Sequence, residues 1–145
     1  MADPIVLCGP YPTRDDAAIA GFGKVLKGGL AWKTNEFAFW VVLKPKPGSA
    51  ADYFYTLPKS DGSGGEVTSE LPRNQIVVAH GHTHPAKVST GDFSPGDKRQ
   101  YVKVRNARPG VAWYLLNPKG EIRLAEAESD FPAGKTVSPR GSGKP

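Results

Sequence analysis

The chain has 145 residues, a net charge of +5, 39% apolar residues and 23% charged residues, which indicates one globular domain. No apolar run approaches the roughly 20 residues needed to cross a membrane, and the single cysteine, Cys8, excludes an internal disulfide and a cysteine-rich zinc site. The N-terminus lacks the pattern of a signal peptide, so we expect a cytoplasmic protein or one exported without a cleavable signal. The charge fits acidic or nucleic-acid partners, although the basic residues are scattered.

The first half of the chain predicts one helix and two strands. Residues 1–12 hold three prolines and are predicted to form an extended N-terminal segment. Thr13 is the expected N-cap of an amphipathic helix that ends at Gly28. Residues 37–43 are all apolar, which indicates a central strand covered on both faces, and residues 52–57 predict an antiparallel neighbour.

The second half predicts a helix followed by a hairpin. The helix spans residues 94–104, and strands are expected at residues 111–116 and 121–125. We therefore predict an α+β fold: a single domain at residues 13–127 with a mixed, twisted sheet flanked by helices. Residues 128–145 are predicted to be a flexible C-terminal tail, since proline, glycine, serine and basic residues fill its end.

All three histidines of the chain lie within five residues, at His80, His82 and His84. The apolar, β-branched residues 76–79 precede them, which predicts a buried strand that Pro85 ends. Side chains alternate between the two faces of a strand, so the three imidazoles are expected to point the same way. Neutral imidazole is a common zinc ligand, so the cluster predicts a metal site.

Two acidic residues have both a chemical and an ordinary structural interpretation. Asp97 offers a carboxylate 13 residues after His84. In Ser94-Pro95-Gly96-Asp97, however, Ser94 as N-cap and proline at the first helical position also describe an ordinary helix start. The two interpretations are compatible, because a capped helix start fixes both side chains. Glu36 stands at the entrance of the first apolar strand, where a solvated strand end is the alternative.

These motifs, in this order, resemble the JAB/JAMM (MPN) metallopeptidase superfamily. Its pattern is a glutamate on an early strand, then His-Ser/Thr-His-Pro, then Ser-x-x-Asp. The chain is most similar to a branch of small bacterial domains associated with RHS-type and other polymorphic toxins. The resemblance lies in residues 35–37, 82–85 and 93–97, with residues 115–122 similar to the closing hairpin of that branch. It implies a JAB/MPN-like fold with cytidine-deaminase-like layering.

The resemblance also implies a function and a role for each site residue. His82, His84 and Asp97 would bind Zn²⁺, with water as the fourth ligand. Glu36 would take the proton of that water and pass it to a leaving amine, and Ser94 would donate a hydrogen bond to the oxyanion. The implied activity is zinc-dependent hydrolysis of peptide or isopeptide bonds by the effector domain of a secreted toxin. The implied partners are a protein or peptide substrate and a cognate immunity protein.

The chain departs from the superfamily pattern in three respects. Nine residues separate His84 from Ser94, where seven are usual, so the loop over the metal should differ and no substrate preference carries over. His80 is an additional histidine, either a partner of a metal ligand or a core residue. Glu66 and Glu70 are the other candidates for the general base.

Two other functions compete with a peptidase. A metal-dependent nuclease or phosphodiesterase fits the basic charge, but the PHP and metallo-β-lactamase folds that use His-x-His need more ligands than three histidines supply. A non-catalytic MPN-like interaction module is the third interpretation, and the complete ligand set argues against it.

Overall fold

The computed structural model describes residues 6–28, 36–46, 49–60, 72, 74–85 and 92–137. In these residues, two α-helices and seven strands form a single α+β domain with one mixed sheet, so the predicted fold class is confirmed. The elements are β1 (Leu7–Tyr11), α1 (Arg14–Lys27), β2 (Ala38–Lys46), β3 (Ser49–Thr56), β4 (Ile76–Thr83), α2 (Pro95–Ala107), β5 (Ala112–Leu116), β6 (Ile122–Ala125) and β7 (Lys135–Val137). Neither described helix is long and apolar enough to cross a membrane.

Strand β4 and strand β5 form the one parallel pair among the strands that the structure describes. The strand order is β1-β3-β2-β4-β5-β6-β7, and every adjacent pair is antiparallel except β4 with β5. Parallel strands need a crossover connection, and α2 lies within the segment that makes it. The carboxyl end of β4 is therefore flanked by the carboxyl end of β5 and the start of β2, as the registers His82↔Leu115 and His82↔Ala38 record.

Helix α1 covers one face of the sheet. Thr13 caps it as predicted, because the Thr13 hydroxyl accepts a hydrogen bond from the Asp16 N–H at 3.0 Å. Phe22 of α1 packs edge-on against Phe39 of β2, with ring centroids 5.0 Å apart. The Phe39 ring also lies over Gly81 of β4, where an added Cβ would stand 2.4 Å from the ring. This face of β4 therefore requires glycine between His80 and His82.

A second apolar core covers the opposite face, beneath α2. Its buried residues are Trp40, Val42, Val77, Phe93, Tyr101, Val111, Trp113, Leu115 and Ala125. Tyr101 of α2 packs edge-on against Trp113 of β5 at 6.0 Å. In β2, Phe39 and Val41 belong to the α1 core whereas Trp40 and Val42 belong to this one, so the predicted burial of that strand on both faces is confirmed.

The sheet extends beyond the predicted 13–127 domain at both ends. Strand β1 pairs with β3 at one edge, and β7 pairs with β6 at the other. Gly9 and Pro10 weaken the strand signal of β1, although an edge strand tolerates proline. Strand β7 has only three residues, too few for a periodic pattern. Residues 128–137 therefore belong to the fold rather than to a tail, while residues 138–145 lie outside the described part of the chain.

Candidate metal centre

A β-bulge determines which face of the sheet carries the histidines. Val41 of β2 pairs with Ala79, but the next residue, Val42, pairs with Val77, so Val78 is the extra residue of the bulge. Val77 and His80 consequently lie on the same face although they are three positions apart in the strand, since both belong to the side covered by α2. Val77 points toward α2. If side chains alternated regularly from Val77 onward, with no bulge, the histidines would point toward α1 instead.

Three buried side chains converge at the end of β4. His84 Nε2 lies 3.0 Å from Asp97 Oδ2, and His82 Nε2 lies 3.1 Å from Asp97 Oδ1. One ligand atom from each of the three residues can be chosen so that all lie within 4.8 Å of one another. The structure therefore brings together the three residues predicted as metal ligands.

The donor set fits a metal ion that takes imidazole and carboxylate ligands. Two donor atoms that each lie ~2.0 Å from a tetrahedral ion are roughly 3.3 Å apart, close to the two nitrogen–oxygen distances observed at Asp97. His82 Nε2 is buried and lacks a hydrogen-bond partner in the described residues, although it lies beside Asp97 Oδ1. A buried polar atom without a partner is costly, and a shared cation would satisfy both groups. The structure shows that the group can hold a metal ion, without specifying which metal.

The electrostatics of the three residues favour a positive charge between them. Burial raises the pKa of Asp97, but His82 and then His84 outweigh burial and hold that pKa well below its usual range. Burial lowers the pKa of His82, yet the Asp97 carboxylate more than compensates and leaves it above its usual value. Asp97 thus remains a carboxylate at neutral pH and favours a proton or a cation at His82.

His80 lies apart from this group, between two tryptophans. Its ring stacks on Trp113 with centroids 4.3 Å apart and meets Trp40 edge-on at 4.6 Å. Burial, followed by the nearby His82, lowers the pKa of His80 well below its usual value, against a smaller opposing effect of Asp97. His80 is therefore a neutral core residue within an aromatic stack. It borders the centre, because its ring centroid is 5.6 Å from that of His82.

Ser94 and Asp97 form a reciprocal capping box at the start of α2. The Ser94 hydroxyl accepts from the Asp97 N–H at 3.1 Å, and the Ser94 N–H donates to Asp97 Oδ2 at 2.7 Å. The helix-start interpretation of this motif is therefore confirmed, and the same cap fixes the carboxylate that faces the histidines. Phe93 secures the cap: its N–H donates to the Pro132 carbonyl at 2.8 Å, and its ring packs on Phe131.

Glu36 is buried beside the centre, on the segment that leads into β2. Phe37 and Thr83 exchange two hydrogen bonds of 2.9 Å, and Ala38 pairs with His82. Continuing this register by one residue sets Glu36 opposite His84, on the face of the sheet that carries the ligands. Glu36 is 6% exposed, and its carboxylate raises the pKa of His82, after the larger effects of burial and Asp97. Glu66 and Glu70 lie outside the described residues.

Thr83 links the Glu36 segment to the ligands. Its side chain is fully buried, and its hydroxyl accepts the hydrogen bond from the Phe37 N–H. Thr83→Val keeps the shape of the side chain but leaves that N–H without its partner, so we expect the free energy of unfolding to fall by about 1–3 kcal/mol. Thr83→Ser, the matched control, keeps the acceptor and loses one methyl group, at about 0.8 kcal/mol. Urea denaturation of both variants measures the difference, and a Val variant more stable than the Ser variant would contradict it.

Sequence reasoning missed the contacts of the residues that pack around the metal-ligand group. The Trp40–His80–Trp113 stack depends on the pairing of three strands, and the Phe93–Pro132 hydrogen bond joins residues far apart in the chain. Neither contact leaves a local pattern in the sequence. Thr83 did carry a signal, because a hydroxyl between two buried ligands needs a partner.

Comparisons of the chain with protein-family models, with curated proteins and with solved structures gave no significant match.

Proposed function

We propose that the protein is a zinc-dependent hydrolase of peptide or isopeptide bonds. The observation that carries the proposal is the buried group of His82, His84 and Asp97, whose ligand atoms lie within 4.8 Å of one another. Three protein ligands of the His and carboxylate type leave the open position that distinguishes a catalytic zinc site from a structural one. The resemblance of the same motifs to the JAB/JAMM superfamily supports peptide chemistry.

The reaction divides between the metal and two side chains. A zinc ion held by His82, His84 and Asp97 would lower the pKa of a bound water toward ~7 and so make a nucleophile available at neutral pH. The Glu36 carboxylate takes a proton from the attacking water and delivers it to the leaving amine. Its burial and its position opposite His84 support this role, because a base must reach the proton without competing bulk water.

Ser94 stabilises the charge that develops on the scissile carbonyl. Its hydroxyl oxygen accepts from the Asp97 N–H, so its own hydrogen is available to be donated elsewhere. A donor held in place before the reaction stabilises an oxyanion by about 3–4 kcal/mol. The capping box holds Ser94 in place, so the same helix start positions both the ligand Asp97 and the donor Ser94.

A role as the effector domain of a secreted bacterial toxin rests on the resemblance to toxin-associated domains. A cognate immunity protein that covers the centre in the producing cell is part of this proposal.

The test is cleavage of a peptide library by the zinc-loaded protein, followed by mass spectrometry. We expect cleavage that EDTA abolishes, that added zinc restores, and that His82→Ala lacks. Labelled DNA and RNA are incubated in parallel. Cleavage of nucleic acid without cleavage of peptides would replace the proposal with a phosphodiesterase. Inactivity toward both, with zinc bound, would favour a non-catalytic interaction module.

A further inference from the structure

Lys59 lies on the same face of the sheet as the metal-ligand histidines. Its backbone exchanges two hydrogen bonds of 2.9 Å with Ala38, in an isolated antiparallel bridge beyond the end of β3. Ala38 in turn pairs with His82 of β4. Directly paired residues of neighbouring strands point their side chains to the same face, so Lys59, Ala38 and His82 form one row on the face that carries the ligands.

This row leads from solvent into the centre. Lys59 is exposed, whereas Ala38 and His82 are 1% and 2% exposed. Because neighbouring strands lie about 4.8 Å apart, the Cα atoms of Lys59 and His82 are about 10 Å apart. A lysine stem of roughly 6 Å covers more than half of that distance, and the side chain between the two in the row is the small one of Ala38. The Lys59 ammonium group can therefore reach the rim of the centre.

The charge of Lys59 is not neutralised by the part of the chain that the structure describes, in which the residue forms no ion pair. Arg123 on the other flank is the contrasting case. It continues the same row, because His82 pairs with Leu115 and Leu115 with Arg123. The Arg123 guanidinium, however, donates to Glu121 Oε1 at 3.0 Å. One flank of the centre is thus neutralised within the protein, and the other presents a cation.

The charges of the centre indicate what this cation binds. The histidines bind metal as neutral imidazoles, so the two buried carboxylates of Asp97 and Glu36 would balance a divalent ion. Lys59 then adds one positive charge at the rim. A single anionic group of the substrate would balance it, and a carboxylate is suited to the task because it forms charge-assisted hydrogen bonds with an ammonium group.

We propose that Lys59 binds a carboxylate of the substrate and so positions a neighbouring peptide bond at the metal centre. This inference rests on the proposed hydrolase function and adds a specificity-determining residue to it. The carboxylate belongs to an acidic side chain or to a free C-terminus, which present the same chemistry. A phosphodiester fits less well, because its negative charge would lie at the reacting bond itself, beside the buried carboxylates of Asp97 and Glu36.

The experiment measures the binding of hydroxamates to the zinc-loaded chain by isothermal titration calorimetry at low salt. The hydroxamate group binds the metal, so succinyl, glutaryl and adipyl monohydroxamates hold a carboxylate at increasing distances from it. Butyryl, valeryl and hexanoyl hydroxamates have the same chain lengths and lack the carboxylate. We expect at least one carboxylate probe to bind about three- to fivefold more tightly than its uncharged counterpart, as for an ion pair with an exposed lysine. Salt at about 0.5 M should remove most of this preference.

Lys59→Gln should abolish the preference for the carboxylate probe, and Lys59→Arg should retain it, because only arginine keeps the charge. Both variants replace an exposed side chain and leave the backbone pairing with Ala38 in place, so their Tm should change little. The matched control is Lys24→Gln, which removes a cation from α1 on the opposite face and should keep the preference. A preference that survives in Lys59→Gln, or that is absent from all three probes in the wild type, would overturn the proposal.

Peptide cleavage distinguishes this inference from the function on which it rests. A chain that prefers the carboxylate probes through Lys59 but cleaves no peptide would contradict the hydrolase and confirm the carboxylate site. A chain that cleaves peptides but shows no such preference would overturn the assignment of Lys59 alone. Binding of dithymidine phosphate that Lys59→Gln weakens, without a preference among the hydroxamates, would assign the residue to nucleic acid instead. Where the preference is found, library peptides with free and with amidated C-termini show whether Lys59 binds the terminal carboxylate or an acidic side chain.

Discussion

Replacement of both His82 and His84 by alanine is expected to remove zinc from the protein. The wild type should carry about one zinc ion per chain, and the double variant less than about a tenth of that, because the remaining Asp97 carboxylate is one ligand where tetrahedral sites need three or four. Elemental analysis of protein purified without a histidine tag, before and after incubation with zinc and dialysis, measures the change. Wild-type protein that contains no metal even after this incubation would contradict the metal centre.

His80 provides the control for the double variant, because it lies on the same strand and face but outside the ligand group. His80→Phe keeps a flat ring between Trp40 and Trp113 and removes both nitrogens. We expect this variant to retain its zinc. Loss of zinc in His80→Phe as complete as in the double variant would instead make His80 a ligand and revise the site.

The contacts that could be predicted from the sequence are those that a local pattern encodes. Strand alternation placed His80, His82 and His84 together, and the Ser94 cap with its proline located the helix that carries Asp97. Both patterns need only a few consecutive residues. Their meeting at Asp97 follows from the parallel pairing of β4 with β5, because a crossover returns α2 over the end of β4.

What the sequence could not predict depends on pairing between distant segments. The bulge at Val78 lies in a wholly apolar run, in which no alternation of polar and apolar residues reveals a change of face. The residues that hold Phe93 come from a segment expected to be a tail, since Phe131 and Pro132 sit among polar and small residues. Burial of Glu36 could not be read from its position at a strand entrance, because only the register with β4 brings it opposite His84.

The substitution Glu36→Gln is expected to separate catalysis from metal binding. Glutamine keeps the size and most hydrogen bonds of glutamate but cannot accept the proton of the attacking water. The rate of peptide hydrolysis should therefore fall by about 10²–10⁴, the usual contribution of a general base, while the zinc content stays that of the wild type. Steady-state cleavage of a substrate found in the peptide library, measured together with elemental analysis of the same samples, gives both quantities.

Glu128→Gln is the matched control, because it makes the same chemical change at an exposed residue that pairs with Arg105, away from the centre. It should hydrolyse the substrate at the wild-type rate. If Glu36→Gln keeps both its zinc and its full rate, Glu36 is not the base, and Glu66 and Glu70 become the residues to replace. If the variant loses its zinc as well as its activity, the Glu36 carboxylate contributes to metal binding by holding the ligands in place. Only retained zinc with a lost rate supports Glu36 as the group that moves the proton.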